Sequence, residues 1–201
     1  MYINITRYAG VAGRIGDMAQ KAEQGFVPLL KGQPGFLGYT GLASEQGDIV
    51  ALHIWENADA MAASRENIRG WLQANADEYL EPTERFQGEV AHHAMASPQS
   101  GGHGQSLYCM VRKSDNNPEA PGGDEMRKAL GEAVQKVPGF RGAYFARSAE
   151  EPHRTASVLF FDNREHAAAA HEAALAVLHK HQPNVTNRVA ASGQTAVLAM
   201  A

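Results

Sequence analysis

Pro34-Gly35-Phe36-Leu37-Gly38-Tyr39 is the stretch that decides the fold, because the same pattern returns as Pro138-Gly139-Phe140-Arg141-Gly142-Ala143. A Pro-Gly pair cannot continue a helix, and glycine tolerates the positive φ that a sharp turn needs. Each copy follows a helix-like segment and precedes a strand-like one. The motif therefore predicts the joint between the first helix and the second strand of a small domain that occurs twice in the chain.

Three further pairs of segments lie at nearly the same spacing. The offsets between the copies run from 104 residues (138 minus 34) to 106 residues (163 minus 57). The pairs are the first strands (2–7 and 107–112), the ends of the third strands (Trp55-Glu56-Asn57 and Phe161-Asp162-Asn163) and the last strands (88–95 and 193–200). Blocks that keep both their order and their spacing predict a tandem duplication, although few residues are identical.

Hydrophobic periodicity assigns the elements of the first copy. Alternation predicts strands at 2–7, 36–43 and 86–95, and the nearly continuous apolar run at 49–55 is typical of a central strand buried on both faces. A first helix follows Gly13 and is expected to end or kink at Pro28, and a second begins after a cap at Asn57 or Asp59. The order β-α-β-β-α-β is ferredoxin-like.

The second copy follows the same order, which sets the predicted domain organisation. We expect a first ferredoxin-like repeat at 1–96, a Ser/Pro/Gly-rich linker at 97–106 and a second repeat at 107–201. An antiparallel sheet with both helices on one face leaves its other face bare, and such a face marks an interface. The α+β fold class is therefore predicted in a specific form, with the two sheets packed into an intramolecular barrel. The chain would then be a monomer with an internal pseudo-dimer, and a further homodimer stays open.

Composition narrows the classes of function. A net charge of −4 over 201 residues carries no basic footprint for nucleic acid. We expect no membrane partner and a cytoplasmic location, because no apolar run is long enough to span a bilayer and no signal pattern begins the chain. The single cysteine, Cys109, excludes an internal disulfide and a cysteine-cluster metal site. No histidine spacing indicates a metal site either. Arg7 and Arg112 are expected to pair with acidic neighbours.

With these motifs the chain resembles the antibiotic biosynthesis monooxygenase-like family of the dimeric α+β barrel superfamily. The resemblance covers nearly the whole chain, once per repeat. It rests on the element order, the Pro-Gly-Phe-x-Gly joint and the aromatic-acidic-Asn end of the third strand. It implies a pocket between the sheet and helices of one repeat. The family includes cofactor-free oxygenases of polycyclic phenols, haem-degrading enzymes and members with no known activity, so the fold alone does not select a function.

The resemblance also implies particular site residues. An asparagine on the first strand often lines the pocket, and Asn4 stands at that place, where it either binds a ligand oxygen or is satisfied by the backbone. Its equivalent in the second repeat is expected to be Cys109. Haem-degrading members add a tryptophan and a histidine on the second helix. Trp71 supplies the first in one repeat and His179 the second in the other, so haem remains possible although neither repeat holds the full set.

A cofactor-free oxygenase needs one base and an aromatic pocket. His53 lies two residues before Trp55 and so faces the same side of the strand, with Tyr39 on the adjacent strand. We predict Asn4 and His53 as catalytic and Tyr39, Trp55 and Trp71 as substrate-binding; the alternative is that His53 and Trp55 only fill the core. The leading function is oxygenation of a small aromatic or quinone-type ligand without cofactor. The alternatives are a non-enzymatic small-molecule or stress-response binding protein and a haem binder or degrader.

Overall fold

The computed structural model describes residues 1–75, 81–96, 106–115 and 123–201. It is an α+β structure, as expected, and its paired strands run antiparallel. The elements are β1 (Tyr2–Tyr8), a 3-10 turn (Ala12–Arg14), α1 (Ile15–Lys21), a π-helical turn (Ala22–Phe26), α2 (Val27–Lys31), β2 (Phe36–Ala43), β3 (Ile49–Trp55), α3 (Ala58–Asn75), β4 (Glu84–Met95), β5 (Tyr108–Asp115), α4 (Gly123–Gln135), β6 (Phe140–Ser148), β7 (Arg154–Phe161), α5 (Arg164–His181) and β8 (Thr186–Met200).

Both Pro-Gly-Phe joints adopt the turn that their sequence predicts. Gly35 has a φ of 75° and Gly139 a φ of 72°, a region that side chains disfavour. The Gly35 carbonyl accepts a hydrogen bond from the Glu56 amide at 2.8 Å, and the Gly139 carbonyl accepts one from the Asp162 amide at 2.9 Å. In each case the joint is therefore bonded directly to the end of the strand that carries the aromatic-acidic-Asn motif.

The asparagine of that motif begins the next helix. Asn57 Oδ1 accepts a hydrogen bond from the Ala60 amide at 2.8 Å, and Asn163 Oδ1 accepts one from the His166 amide at 2.9 Å. An N-cap of this kind satisfies one of the amides that a helix leaves unpaired at its start. Of the two caps proposed for α3, Asn57 is the one used.

Pro28 does not end the first helical segment, which was one of the two outcomes expected there. Helical structure continues to Lys31, with Pro28 in the first turn of α2, where its missing amide hydrogen is tolerated. The turn before it, Ala22–Phe26, is π-helical and so wider than an α-helical one. This turn buries the side chains of Ala22 and Phe26.

The chain divides into two compact units. The first comprises Met1–Glu89 and Gln194–Ala201, and the second Val90–Gly193. The strands β4, of 12 residues, and β8, of 15, are each divided between the units, and the repeat bounds of 1–96 and 107–201 stay a prediction. Residues 97–105 of the predicted linker lie outside the described residues. The expected packing of one repeat's sheet on the other stays a prediction.

In the first unit the hydrogen-bonded strand order is β4-β1-β3-β2-β8. All seven residues of β3 are buried, which confirms the central strand predicted from its apolar run. Tyr2 lies opposite Trp55, and Asn4 lies opposite His53. One face of this sheet packs against the helical segments through Phe26, Leu30, Trp55 and Met61, among others.

In the second unit the order is β8-β5-β7-β6-β4. Tyr108 lies opposite Phe161, and Met110 lies opposite Leu159. Small residues on α5 let the helix approach the sheet closely, and Ala167, Ala170 and Ala174 are fully buried there. Within the described part of the chain, no helix combines the length and the apolar character that crossing a membrane requires.

Candidate functional site

The first unit contains a cavity of about 130 Å³ between its sheet and its helical segments. A cavity of about 150 Å³ lined by apolar side chains is known to hold one benzene ring. The volume therefore corresponds to about one aromatic ring. The lining residues are Tyr8, Arg14, Ile15, Asp17, Met18, Ala19, Lys21, Ala22, Phe26, Tyr39, Gly41, Ile49, Ala51, His53, Trp71, Leu72, Asn75 and Val197.

His53 is one of the polar residues that line this cavity, and its side chain contacts a short chain of amides. Gln87 Nε2 donates to Asn4 Oδ1 at 3.2 Å, and the other end of the Asn4 amide, Nδ2, faces His53 Nδ1 at 3.4 Å. Because Asn4 Oδ1 is occupied as an acceptor, Nδ2 is the atom that donates to the ring. The neutral imidazole then carries its hydrogen on Nε2.

The Nε2 atom of His53 is buried and has no hydrogen-bond partner among the described residues. A buried polar group without a partner is costly, and natural structures leave few of them. The Asn4–His53 pair therefore presents a hydrogen-bond donor that an acceptor atom of a ligand would satisfy.

Burial sets the protonation states in the cavity. His53 is only 7% exposed, and burial lowers the pKa of its imidazole to about 4. Burial raises the pKa of the Tyr39 phenol, and the neighbouring Tyr8 raises it further. Near neutral pH both His53 and Tyr39 are therefore uncharged and carry a hydrogen that they can donate.

Aromatic rings surround His53. The Tyr39 ring lies 5.0 Å from the imidazole at 33°, and the Phe26 ring meets Tyr39 edge-on at 5.3 Å. The ring of Trp71 packs 4.9 Å from Phe26. Phe26 comes from the π-helical turn, so the wider turn before Pro28 supplies part of the cavity wall.

A second cavity of about 120 Å³ also has His53 in its lining. Trp55 lines it with a fully buried ring that meets Phe36 edge-on at 5.5 Å, and Trp55 Nε1 has no partner among the described residues. The lining residues are Asn4, Thr6, Tyr8, His53, Trp55, Met61, Arg65, Ile68, Arg69, Leu72, Arg85 and Gln87.

The structure thus divides the five predicted site residues between two cavities. Tyr39 and Trp71 line the first, Asn4 and Trp55 line the second, and His53 lines both. Their roles in catalysis and substrate binding stay predictions. The sequence prediction missed Gln87, which orients Asn4, and Phe26, which was assigned only to the apolar stripe of the helix. The position of Gln87 opposite Asn4 depends on the register of β4 against β1, for which the sequence carries no local signal.

The second unit has apolar residues at the corresponding positions, and one predicted equivalence is wrong. Because Tyr2 pairs with Trp55 as Tyr108 pairs with Phe161, Asn4 corresponds to Met110 and not to Cys109. By the same register His53 corresponds to Leu159. Both Met110 and Leu159 are buried in the core of the second unit. Cys109 is a buried free thiol one position away, so its side chain lies on the opposite face of the strand, and burial raises its pKa.

The two arginines expected to pair with acidic neighbours behave differently. Arg7 confirms the expectation, with Nη2 at 2.6 Å from Asp48. Within the part of the chain that the structure describes, Arg112 has no acidic partner; the residue is 2% exposed, and its Nε and Nη2 donate to Asn187 Oδ1 at 3.2 and 2.8 Å. Burial lowers the pKa of Arg112 to about 10. The register also places Arg112 opposite Ser157 and Arg7 opposite Val50, so the two are not equivalent positions.

Haem was the cofactor left open by the sequence. His179, the proposed iron ligand, is exposed in the last turn of α5 and lines neither cavity of the first unit. His53 is buried, but a cavity of about 130 Å³ is far smaller than a porphyrin. The described residues therefore do not fit a resident haem. Nor do they contain a cluster of three or more His, Cys, Asp or Glu side chains that could hold a metal ion.

Neither a protein-family model nor a curated protein matches the sequence. The fold is nevertheless similar to solved structures. A candidate monooxygenase from Fusobacterium nucleatum subsp. nucleatum has a TM-score of 0.72 and 11% identity, with 99% of this chain and 94% of that chain covered. An anthrone oxidase-like protein has a TM-score of 0.64 and 15% identity, covering 99% and 92%. A mutant chlorite dismutase from Candidatus Nitrospira defluvii has a TM-score of 0.58 and 13% identity, covering 96% and 90%. At these identities the likeness shows the fold alone.

Proposed function

We propose that the chain is an antibiotic biosynthesis monooxygenase-like enzyme that oxygenates a phenol or quinone-type molecule of about one ring, without a cofactor, in the first cavity. The observation that carries the proposal is the buried His53 Nε2, which Gln87 and Asn4 orient and which lacks a partner among the described residues. The similar structures named as a candidate monooxygenase and as anthrone oxidase-like are the reason for choosing oxygenation. As part of the same proposal, we infer that the two halves of the chain are diverged copies of one ferredoxin-like unit.

In such a reaction the substrate supplies every electron. A phenol with a hydrogen on its para carbon reacts with one O₂ to give the quinone and one water. A C–O bond forms at the para carbon, the C–H bond there breaks, and the second oxygen atom leaves as water. The electrons become available when the phenol ionises, so the protein has to favour the phenolate and keep its ring out of bulk water.

Within this proposal His53 acts as a hydrogen-bond donor. Its Nδ1 faces the Asn4 amide, so Nε2–H points to the ligand and would stabilise a phenolate oxygen. The sequence predicts His53 as a base, but an imidazole whose pKa is about 4 and whose Nε2 carries hydrogen is a poor acceptor. The phenolic proton is then released to water at the mouth of the cavity. Asn4 is a positioning residue that holds the tautomer.

Oxygen uptake with a panel of hydroxyquinones tests the proposal. Asn4→Ala and His53→Ala should each lower the rate by about a hundredfold, since loss of one preorganised donor costs that much in comparable sites. His53→Gln keeps an N–H donor and should recover part of the rate. His153→Ala alters an exposed histidine of the second unit and is the matched control, with an unchanged rate expected. Equal rates for all four variants would reject the assignment.

A non-enzymatic binding protein would use the same cavity and is separated by the same panel. Ligands that quench the fluorescence of Trp71, which lines the cavity, without oxygen uptake would favour binding alone. A haem titration followed by absorbance addresses the third alternative, and a Soret shift on addition would contradict the poor fit described above.

A further inference from the structure

The second cavity of the first unit carries three arginines that the proposed oxygenation does not use. Arg65 and Arg69 lie one turn apart on α3, and Arg85 lies on β4. Like charges at positions i and i+4 of a helix repel each other. Among the described residues none of the three arginines has an ion-pair or hydrogen-bond partner, and none of the residues lining this cavity is a carboxylate.

The lining of the cavity adds one buried hydrogen-bond donor. Trp55 Nε1 can only donate, and it is buried without a partner among the described residues. Guanidinium groups also donate only. The cavity therefore combines the positive charge of three arginines with an unsatisfied donor, and a group that only accepts hydrogen bonds and carries negative charge would complement both.

Apolar side chains line the rest of the cavity. Met61, Ile68 and Leu72 form a wall on α3, beside the Trp55 ring. A volume of about 120 Å³ corresponds to about one ring, close to the size of a cavity known to hold benzene. An inorganic anion would leave this apolar wall without contacts, whereas an aromatic acid would fill it.

We propose that this cavity is a binding site for a small aromatic carboxylate, with the ring against Trp55 and the α3 wall and the carboxylate among Arg65, Arg69 and Arg85. Arginine suits a carboxylate because its planar group can donate two parallel hydrogen bonds. Binding at this site does not require the proposed oxygenation, since it uses the arginines, Trp55 and the α3 wall of the second cavity.

Isothermal titration with benzoate tests the site, and benzamide is the uncharged control of the same shape. Benzoate should bind at least about tenfold more tightly than benzamide at low salt. Each of Arg65→Gln, Arg69→Gln and Arg85→Gln should weaken benzoate binding about threefold, and the triple variant by at least about tenfold. Arg147→Gln, at an exposed arginine of the second unit, should leave it unchanged. Equal affinities for benzoate and benzamide, or a triple variant that binds like the wild type, would overturn the proposal.

Two further measurements keep the test decisive. Raising the ionic strength should weaken the binding of benzoate to the unaltered chain but not the binding of benzamide. This measurement needs no variant, so it tests the site even if the triple variant fails to fold. Inorganic phosphate that binds as tightly as benzoate would show a phosphate site and reject the aromatic acid. Benzoate binding without oxygen uptake would remove the proposed oxygenation and support this site, and oxygen uptake without benzoate binding would do the reverse.

Discussion

The two compact units share a structural frame, made of a turn glycine, a helix cap and a pair of packed rings. They differ in the side chains at two inward positions of their strands. In both, a glycine of positive φ bonds to the strand end, an asparagine caps the helix, and two rings meet edge-on, at 5.5 Å for Phe36 and Trp55 and 5.8 Å for Phe140 and Phe161. At the positions of Asn4 and His53 in the first unit, the second has Met110 and Leu159.

This difference shows which positions the fold requires. The joint, the cap and the ring pair are present in both units because they set the turn and the entry of the helix. The inward positions of the first and third strands only need to be filled. Apolar residues fill them in the second unit and stabilise a core, whereas polar residues in the first unit leave unsatisfied donors beside two cavities.

The largest expected effect is on the free energy of unfolding, and it differs between the two Pro-Gly-Phe joints. A Cβ on Gly35 would lie 2.7 Å from Ala60 Cβ, an atom fixed by the helix backbone, whereas a Cβ on Gly139 would meet the His166 side chain, which can rotate away. Gly35→Ala should therefore lower the free energy of unfolding by about 4 kcal/mol and Gly139→Ala by about 2 kcal/mol. Urea unfolding followed by circular dichroism measures both.

A control isolates the backbone term of that prediction. Gly47 has a φ of 90° and open space around it, so Gly47→Ala should cost only about 1 kcal/mol. Adding Ala60→Gly to Gly35→Ala removes the Ala60 Cβ, and it should recover the part of the lost stability that is due to the contact between the two Cβ atoms. Equal losses of stability in Gly35→Ala and Gly47→Ala would show that the contact with Ala60 contributes nothing.

A smaller effect is expected from pH, through His53 in the first unit. The unfolded chain binds a proton at His53 near the ordinary pKa of about 6.5, whereas the folded chain binds it near a pKa of about 4. Between these values the unfolded state holds more protons, so stability present above pH 6.5 is lost as the pH falls towards 4, by about 3 kcal/mol. His53→Leu, which copies Leu159, should remove that loss.

Urea unfolding of the unaltered chain and of His53→Leu at pH 7 and pH 4.5 measures the difference. Both tryptophans, Trp55 and Trp71, lie in the first unit, so their fluorescence reports on that unit. The comparison between the two proteins cancels the carboxylates that also titrate in this range. An identical loss in both would show that His53 is not the group responsible.

The smallest effect should be the same in both units. Asn57→Ala and Asn163→Ala each remove a capping hydrogen bond, of 2.8 and 2.9 Å, and should each cost about 1 kcal/mol. Thermal unfolding followed by circular dichroism is sufficient. A loss at one cap only would mean that the two caps, although similar in geometry, do not stabilise their units to the same extent.

Much of the frame could be predicted from local signals. The turn glycines, the Asn57 cap and the buried central strand follow from backbone sterics, capping and hydrophobic pattern, each of which acts over a few residues. The prediction that Cys109 is the equivalent of Asn4 was wrong, and the cause is also local. A strand alternates its faces, so an alignment wrong by one residue exchanges the core face for the other.

The sequence by itself determined the α+β class, the two joints and the concentration of polar candidates in the first half. Only the tertiary structure decided that Gln87 orients Asn4, that Phe26 packs beside Tyr39, and that Arg85 joins two arginines of α3 around one cavity. These groups are far apart in the chain, and their meeting depends on strand register and helix packing. Both are settled by the sum of many long-range contacts, and no short stretch of sequence carries that sum.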